Sequence, residues 1–163
     1  MAQNTIFLKI LPIKGSALHQ TFTGQISLNS YSHGVSYALG EDVSNTSRTS
    51  GKTTAGDFTC TKDVDLATTE LYEYCTKATP IAEAVLSVGT NNGMAGAWQP
   101  TIVYTMKNVM LRSVSTSGSG TLPTDTFVLQ YASISVAYTQ QKTDTVAAGN
   151  GAFTYDKATT KAA

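Results

Sequence analysis

One stretch of the sequence, from Asp57 to Thr79, combines a strand pattern with a helix pattern, and it limits the possible folds more than any other. Phe58 and Cys60 alternate with threonines, so both apolar side chains lie on one face of an extended segment before Lys62 ends the pattern with a charge. This arrangement predicts a half-buried β-strand that leads directly into a turn.

A helix pattern begins immediately after this turn. Apolar residues recur at a spacing of four, and Asp65 or Thr68 can accept hydrogen bonds from the free N–H groups of a first helical turn. Thr79 precedes a proline, which disfavours helical geometry at Thr79. We therefore predict one short α-helix, over about residues 66–77, and no other helix of this length.

The composition is that of a single, mostly β domain. The chain has 163 residues, of which 41% are hydrophobic and 13% charged, and this length suits one core within a domain spanning residues 1–163. Its 26 threonines and 15 serines favour half-exposed strands with hydroxyl-covered surfaces. The 11 basic residues balance the 11 acidic ones, which argues against nucleic acid as a partner.

The N-terminal sequence lacks the features of a secretory signal. It has no basic n-region, and Lys9, Pro12 and Lys14 interrupt its apolar run. No run of 18 apolar residues occurs in the sequence, so a spanning helix is not predicted. We expect no Sec signal and no insertion into a membrane.

Alternating patterns predict the remaining strands. The segments are residues 5–10, 24–37, 81–89, 101–110 and 126–138. The segment between the second of these strands and the helix region, residues 38–56, contains almost nothing to bury and is rich in glycine. It is predicted to be a long exposed loop, and loops of this length are often functional.

Within residues 24–37 the apolar residues change phase, from even-numbered positions up to Leu28 to odd-numbered positions from Tyr31 onward. A bulge near Asn29 or Ser30 explains this change, because one extra residue reverses the two faces of a strand. After the bulge, the residues predicted on the buried face are Tyr31, Val35 and Tyr37, and those on the opposite face are Ser30, Ser32, Gly34 and Ser36.

Few side chains suit catalysis. The two histidines, His19 and His33, are not accompanied by a G-x-S-x-G nucleophile elbow. The segment from Gly51 to Thr53 resembles the end of a phosphate-binding loop, but it lacks the required glycine five residues earlier. The sequence therefore predicts no catalytic, cofactor-binding or metal-binding site.

The two cysteines, Cys60 and Cys75, are too few for a disulfide framework and lack the C-x-x-C spacing of zinc or redox sites. Two buried free thiols are the simpler interpretation. A single bridge between them is the alternative.

Four segments, spread over nearly the whole chain, resemble the haemolysin-coregulated protein (Hcp) family, which forms the tube of bacterial type VI secretion systems. The helix entry resembles the family pattern T-K-x-x-D-x-x-(S/T)-x-x-L, and it is F-T-C-T-K-D-V-D-L-A-T-T-E-L here. The other three are F-L-K-I-L-P-I-K-G-S from Phe7, I-S-L-N-S-Y-S-H-G-V-S from Ile26, and V-M-L-R-S-V-S-T-S-G-S-G from Val109 with the strand that follows it. One departure is His33, where the family usually has an aromatic residue.

The resemblance implies a compact β-barrel of two sheets with one helix, six copies of which close into a ring. Rings would stack into a tube that works with a contractile sheath and a spike and holds small effector proteins. The protein would then assemble in the bacterial cytoplasm and leave without a Sec signal. The alternative is a free-standing β-sandwich adhesin or carbohydrate-binding module, which the threonine-rich strands alone would allow.

The resemblance also implies which residues act. The strand that contains Ser30, Ser32 and Ser36 would line the channel, so these are candidate lumen residues. The charged residues of the long loop are candidates for contacts between stacked rings, and these are Glu41, Asp42, Arg48 and Lys52.

Overall fold

The computed structural model describes residues 4–39, 51–91, 98–141, 147–159 and 161–162. In order, the elements are β1 (Asn4–Ile10), β2 (Ile26–Leu28), β3 (Ser30–Ser32), β4 (Val35–Tyr37), β5 (Thr53–Ala55), β6 (Phe58–Asp63), α1 (Ala67–Thr76), β7 (Ile81–Asn91), β8 (Trp98–Ser117), β9 (Thr124–Gln130), β10 (Ser133–Gln141), β11 (Ala147–Asp156) and β12 (Lys161–Ala162).

The 20-residue strand β8 takes part in two layers of one ten-stranded sheet. Its first half pairs with β7 and β10, and its second half pairs with β9. The first layer has the order β12-β11-β10-β8-β7-β1-β2, and the second has the order β8-β9-β6-β3. The strands β4 and β5 form a separate two-stranded sheet, which we call the ribbon.

The predictions of a mostly β fold with two sheets and one short helix are confirmed, and the helix ends within one residue of each predicted limit. The main sheet is not, however, a closed barrel. Its two layers are connected by the chain itself, through β8 and through Asn29 between β2 and β3.

The predicted strand over residues 24–37 is wrong, because the structure has three short strands there. The first pairs with β1 in one layer and the second with β6 in the other, so the chain changes layers at Asn29, where the bulge was predicted. The apolar residues beyond it behave differently from the prediction. Tyr31 is half-buried, whereas Val35 and Tyr37 on the ribbon are exposed.

Two other boundaries also differ from the prediction. The strand expected over residues 101–110 extends from Trp98 to Ser117, since polar residues continue its alternation. Residues 53–55, expected to be loop, form β5, whose threonines pair with β4. Residues 40–50 of that loop lie outside the described residues.

The core lies between the two layers and is capped by α1. Alternate residues of β1, β6, β7 and β9 are buried, and α1 contributes Ala67 and Leu71. The fully buried aliphatic and aromatic side chains include Leu8, Ile10, Ile26, Phe58, Leu86, Met106, Phe127 and Leu129. Cys60 is buried and Cys75 half-buried, and both are free thiols, as the simpler interpretation predicted.

Backbone groups at both ends of α1 form hydrogen bonds that cap the helix. At the start, a carboxylate oxygen of Asp65 accepts from the N–H of Ala67 at 2.9 Å. At the other end, the N–H of Thr79 donates to the carbonyl of Tyr74 at 3.1 Å, which is the bond of a Schellman motif. This motif places Ala78 at a φ of 49°, a left-handed conformation that usually favours glycine.

Lys62, expected from the sequence to be a charged exit, is instead fully buried. Its ammonium group lies 2.8 Å from the Asp125 carboxylate, 2.7 Å from that of Asp65 and 3.0 Å from the Thr68 hydroxyl. The same hydroxyl donates to Asp125 and accepts from the N–H of Asp65, so all its hydrogen-bonding capacity is used. Lys62, Asp65 and Thr68 are the lysine, aspartate and threonine of the helix-entry motif. The motif therefore supplies three of the four residues of this buried ionic network.

Opposing effects set the charge state of Asp125. Burial raises the pKa of its carboxyl group, while hydrogen bonds from Lys62, Thr116 and Thr68 lower it, and the net pKa is below the ordinary value. The carboxylate therefore stays ionised beside Lys62, and the stability it provides is present above about pH 4 and is lost as the pH falls below that value.

We predict that Lys62→Met lowers the free energy of unfolding by about 3–5 kcal/mol, because Asp125 would be left as a buried charge without its main partner. Urea unfolding followed by circular dichroism measures this change. The matched control is Lys77→Met, which removes an exposed lysine paired with Glu73 and should leave the stability nearly unchanged. Equal losses in the two variants would contradict the assignment.

Candidate functional site

The outward side of the second layer is a continuous surface of hydroxyl groups. The ladders place Ser32 beside Thr59 and Ser30 beside Thr61, and the row of Thr61 continues to Thr126 on the next strand. We call this surface the hydroxyl face. Its members are Ser30, Ser32, Thr59, Thr61, Ser113, Ser115, Thr126 and Val128.

The sequence builds this face by strict alternation. Phe58, Cys60 and Phe127 are fully buried, so the threonines between them point outward. Threonine is well suited to such half-exposed strand positions because its branched side chain packs on the pleated surface. The four serines of the face are exposed and its other members are half-buried.

The members of the hydroxyl face carry no charge, and the charged residues at its margins have partners within the chain. At one margin, Arg112 pairs with Asp57. At the other, Asp63 accepts a hydrogen bond of 2.9 Å from the side chain of Asn29. The face therefore offers many neutral donors and acceptors to whatever lies against it.

The outward side of the first layer is different, since part of it is covered by the chain's own loop. The ring of Phe22 stacks on Phe7 at 4.6 Å, and Trp98 meets Phe22 edge-on at 4.5 Å. Trp98 lies so close to Gly89 that a Cβ atom there would be 2.5 Å from the indole ring. This packing of side chains covers part of the first layer, whereas the hydroxyl face of the second layer is open.

The structure brings together two of the three candidate lumen residues. Ser30 and Ser32 lie on the hydroxyl face, whereas Ser36 is exposed on the ribbon, in a different sheet. Of the candidate stacking residues, Lys52 is exposed beside β5. The others, Glu41, Asp42 and Arg48, lie outside the described residues.

His33, considered above as a catalytic candidate, lies between β3 and β4 rather than on a strand. Its Nε2 atom is 2.6 Å from the hydroxyl of Tyr131, and its ring stacks on Phe58 at 5.3 Å. Burial, and secondarily the charge of Lys157, lower the pKa of His33. Burial, with the nearby Asp57 carboxylate, raises the pKa of Tyr131 to about 12. The phenol is therefore a neutral hydrogen-bonding partner of the imidazole near pH 7.

Two more general features bear on the kind of site. Among the described residues, no group of three or more histidine, cysteine, aspartate or glutamate side chains is placed to hold a metal ion. In the same part of the chain, no helix is long and apolar enough to cross a membrane.

Sequence reasoning found Ser30 and Ser32 but missed the threonines that complete the hydroxyl face. The alternation of Thr59 and Thr61 with buried residues was visible, but the pairing that sets these strands side by side was not. Sequence reasoning also missed Lys157, whose ammonium group lies 4.1 Å from the centre of the Tyr131 ring. No local pattern links these two residues.

Comparison with known proteins relates these features to a family. Residues 7–138 match the family described as "Type VI secretion system effector, Hcp". Among curated proteins, no sequence matches this one at a significant level.

Several solved structures share the fold. A type six secretion system protein superposes with a TM-score of 0.90 at 19% identity, over 99% of this chain and all of that one. Hcp1 from Salmonella typhimurium gives a TM-score of 0.76 at 21% identity over the whole of both chains. A type VI secretion system effector from Yersinia pestis gives 0.71 at 18% identity, over 93% of this chain and 98% of that one.

The match over residues 7–138 defines a type VI secretion protein, and the structural neighbours have the same fold. The chain belongs to the Hcp family.

Proposed function

We propose that this protein is the structural subunit of a type VI secretion tube, in which six copies form a ring and rings stack into a tube. The observation that carries the proposal is the family match, which covers most of the chain, including the strands of the hydroxyl face. The sheath, the spike and small effector proteins are the partners in this proposal. Assembly in the bacterial cytoplasm and export without a Sec signal belong to it as well.

The family match supports a tube subunit, and no observation on the described residues favours the alternative of a free-standing adhesin or carbohydrate-binding module. A catalytic role also gains no support from His33, because its Nε2 atom is engaged by Tyr131. We therefore retain the prediction that the protein is not an enzyme.

Native mass spectrometry of the purified protein tests the ring directly. We expect a species of six times the 17.2 kDa mass of the chain at micromolar concentrations. Negative-stain images should show annular particles in the same samples. A monomer alone at every concentration would overturn the proposed ring.

Within the ring, we assign the hydroxyl face to the lumen. Its side chains donate and accept hydrogen bonds without attracting or repelling charged surfaces. Each contact with a cargo protein would be weak, but six copies repeat it around the channel, so the contacts add through multivalency. Such a surface can hold a cargo and still release it. Ser36, which lies on the ribbon, is a less central candidate.

Replacing Ser32 with glutamine should lower the steady-state level of a co-expressed effector while the ring persists. Six longer amides would crowd one belt of the lumen, and an exposed polar substitution rarely changes stability by more than about 0.5 kcal/mol. The measurements are immunoblotting of the effector and native mass spectrometry of the ring.

The matched control is Ser27→Gln, since Ser27 is an exposed serine on β2 whose side chain belongs to the first layer. It should leave both ring and effector unchanged. Dissociation of the Ser32→Gln ring would make Ser32 an interface residue. An unchanged ring with unchanged effector would refute the lumen assignment.

We also propose that the loop beyond the ribbon contacts the next ring, through Glu41, Asp42, Arg48 and Lys52. The two acids come first along the loop and the two cations follow, so acidic and basic side chains from facing rings can pair. Each exposed pair contributes about 0–1 kcal/mol, and six copies multiply the effect at each junction.

The double substitution Arg48→Glu and Lys52→Glu should prevent stacking but leave single rings intact. Tube lengths in electron micrographs measure the effect. Lys9→Glu with Lys14→Glu, which changes the net charge equally at two exposed positions elsewhere, is the control. Tubes of unchanged length in the loop variant would show that these charges do not hold the rings together.

A further inference from the structure

Four residues that lie outside the strands come together in one cluster. His33 lies between β3 and β4, Gly56 between β5 and β6, Tyr131 between β9 and β10, and Lys157 follows β11. The Tyr131 hydroxyl lies 3.0 Å from the Gly56 carbonyl and 2.6 Å from Nε2 of His33. The backbone N–H of Lys157 donates to the carbonyl of Ala132 at 2.8 Å.

The hydrogen bonds define where the protons are. A carbonyl can only accept, so the single hydroxyl proton of Tyr131 points to Gly56. The tyrosine oxygen must then accept from His33, which places a proton on Nε2. In the neutral imidazole the other nitrogen, Nδ1, carries none, and it is the atom that a second proton would occupy.

The surroundings of this ring are aromatic. Phe58 stacks on it with an interplanar angle of 18°, and Tyr104 meets it edge-on at 6.2 Å. His33 is half-buried among these rings. Burial of this kind disfavours the charged form of an imidazole.

The charged groups around the cluster are mainly cations. The ammonium group of Lys157 lies over the Tyr131 ring, and Lys52 shares a cleft of about 240 Å³ with Lys157 and Tyr155. The carboxylate at the cluster is that of Asp57, which is already shared between Arg112 and Lys157. A protonated His33 would add a charge near two cations, Arg112 and Lys157, that already share one carboxylate. Burial raises the pKa of the nearby phenols of Tyr104 and Tyr131, so both are neutral near pH 7.

The cluster also controls the base of the ribbon. The N–H of Gly56 donates to the carbonyl of Gly34 at 2.8 Å, just before β4 and just after β5. Tyr131 holds Gly56 from the other side, and His33 holds Tyr131. The ribbon is thus connected to the β9–β10 junction at the Tyr131 hydroxyl, which contacts both Gly56 and His33.

We propose that His33 is a pH-sensitive pin that fixes the ribbon to the body of the protein when neutral and loosens it when protonated. The pKa of His33 is lowered from its ordinary value of 6.5, first by burial and then by Lys157. Because the folded state disfavours the proton, the stability due to the pin is complete above about pH 6.5 and is lost as the pH falls from there towards the lowered pKa.

Hydrogen exchange of the β4 and β5 amides, corrected for the intrinsic effect of pH, tests this pin. Between pH 7.5 and pH 5, we expect protection in the ribbon to fall by about tenfold for the first unit by which the pKa is lowered, and by no more than about 30-fold in total, because an unperturbed imidazole has a pKa of about 6.5. In His33→Phe, which keeps a stacking ring but cannot be protonated, protection should not change with pH. The control is His19→Phe, since His19 also lies against phenylalanine rings but is far from the ribbon in sequence, and this variant should respond as the native protein does.

A second measurement covers the case in which His33→Phe does not fold. In the native protein, the imidazole resonances of His33 should show the Nε2–H tautomer at neutral pH, and they should titrate with the same midpoint as the loss of ribbon protection. Acid-induced loss that persists unchanged in His33→Phe would overturn the proposal. Protection that falls at a midpoint unrelated to the titration of His33 would overturn it too.

Discussion

The ionic network around Lys62 attaches α1 to the paired strands β6 and β9. Its ammonium group bridges β6 to β9 through Asp125 and to the start of α1 through Asp65 and Thr68. Asp125 in turn accepts from Thr116 on β8, so one buried cation positions the helix against the strand shared by both layers. A buried ion pair of this kind need not add net stability over an apolar core, but it is costly to leave half-made. The network therefore selects a single position for the helix.

The outer sides of the two layers differ. The first layer is covered where Phe7, Phe22 and Trp98 pack together, which removes apolar surface from water. The second layer has mainly hydroxyls at its surface, with Val128 as the apolar member, so little drives a loop to cover it. Covering part of one side and leaving the other open is a property of the monomer, and it gives the chain one surface suited to contact with water.

Features that depend on local interactions were predicted from the sequence, and features that depend on contacts between distant residues were missed or predicted wrongly. The strand from Phe58 and the helix after it depend on local periodicity, and both were predicted within a few residues. The reversal of the faces was placed near Asn29 or Ser30, but periodicity cannot show that the chain changes layers there. The burial of Val35 and Tyr37 was therefore predicted wrongly. The burial of Lys62 was missed because its partner Asp125 is 63 positions away. The hydroxyl face was half found for the same reason, since its rows exist only once four separate strands are aligned.

The continuity of β8 also bears on how the molecule responds to load. Its 20 residues continue from the ladder with β7 into the ladder with β9, so the two layers share one strand. A shift of β8 as a whole would break hydrogen bonds in both ladders, so the registers of the two layers are coupled. The two-stranded ribbon takes no part in these ladders. In the proposed tube, this coupling would let each subunit pass a push from one end of the assembly to the next ring.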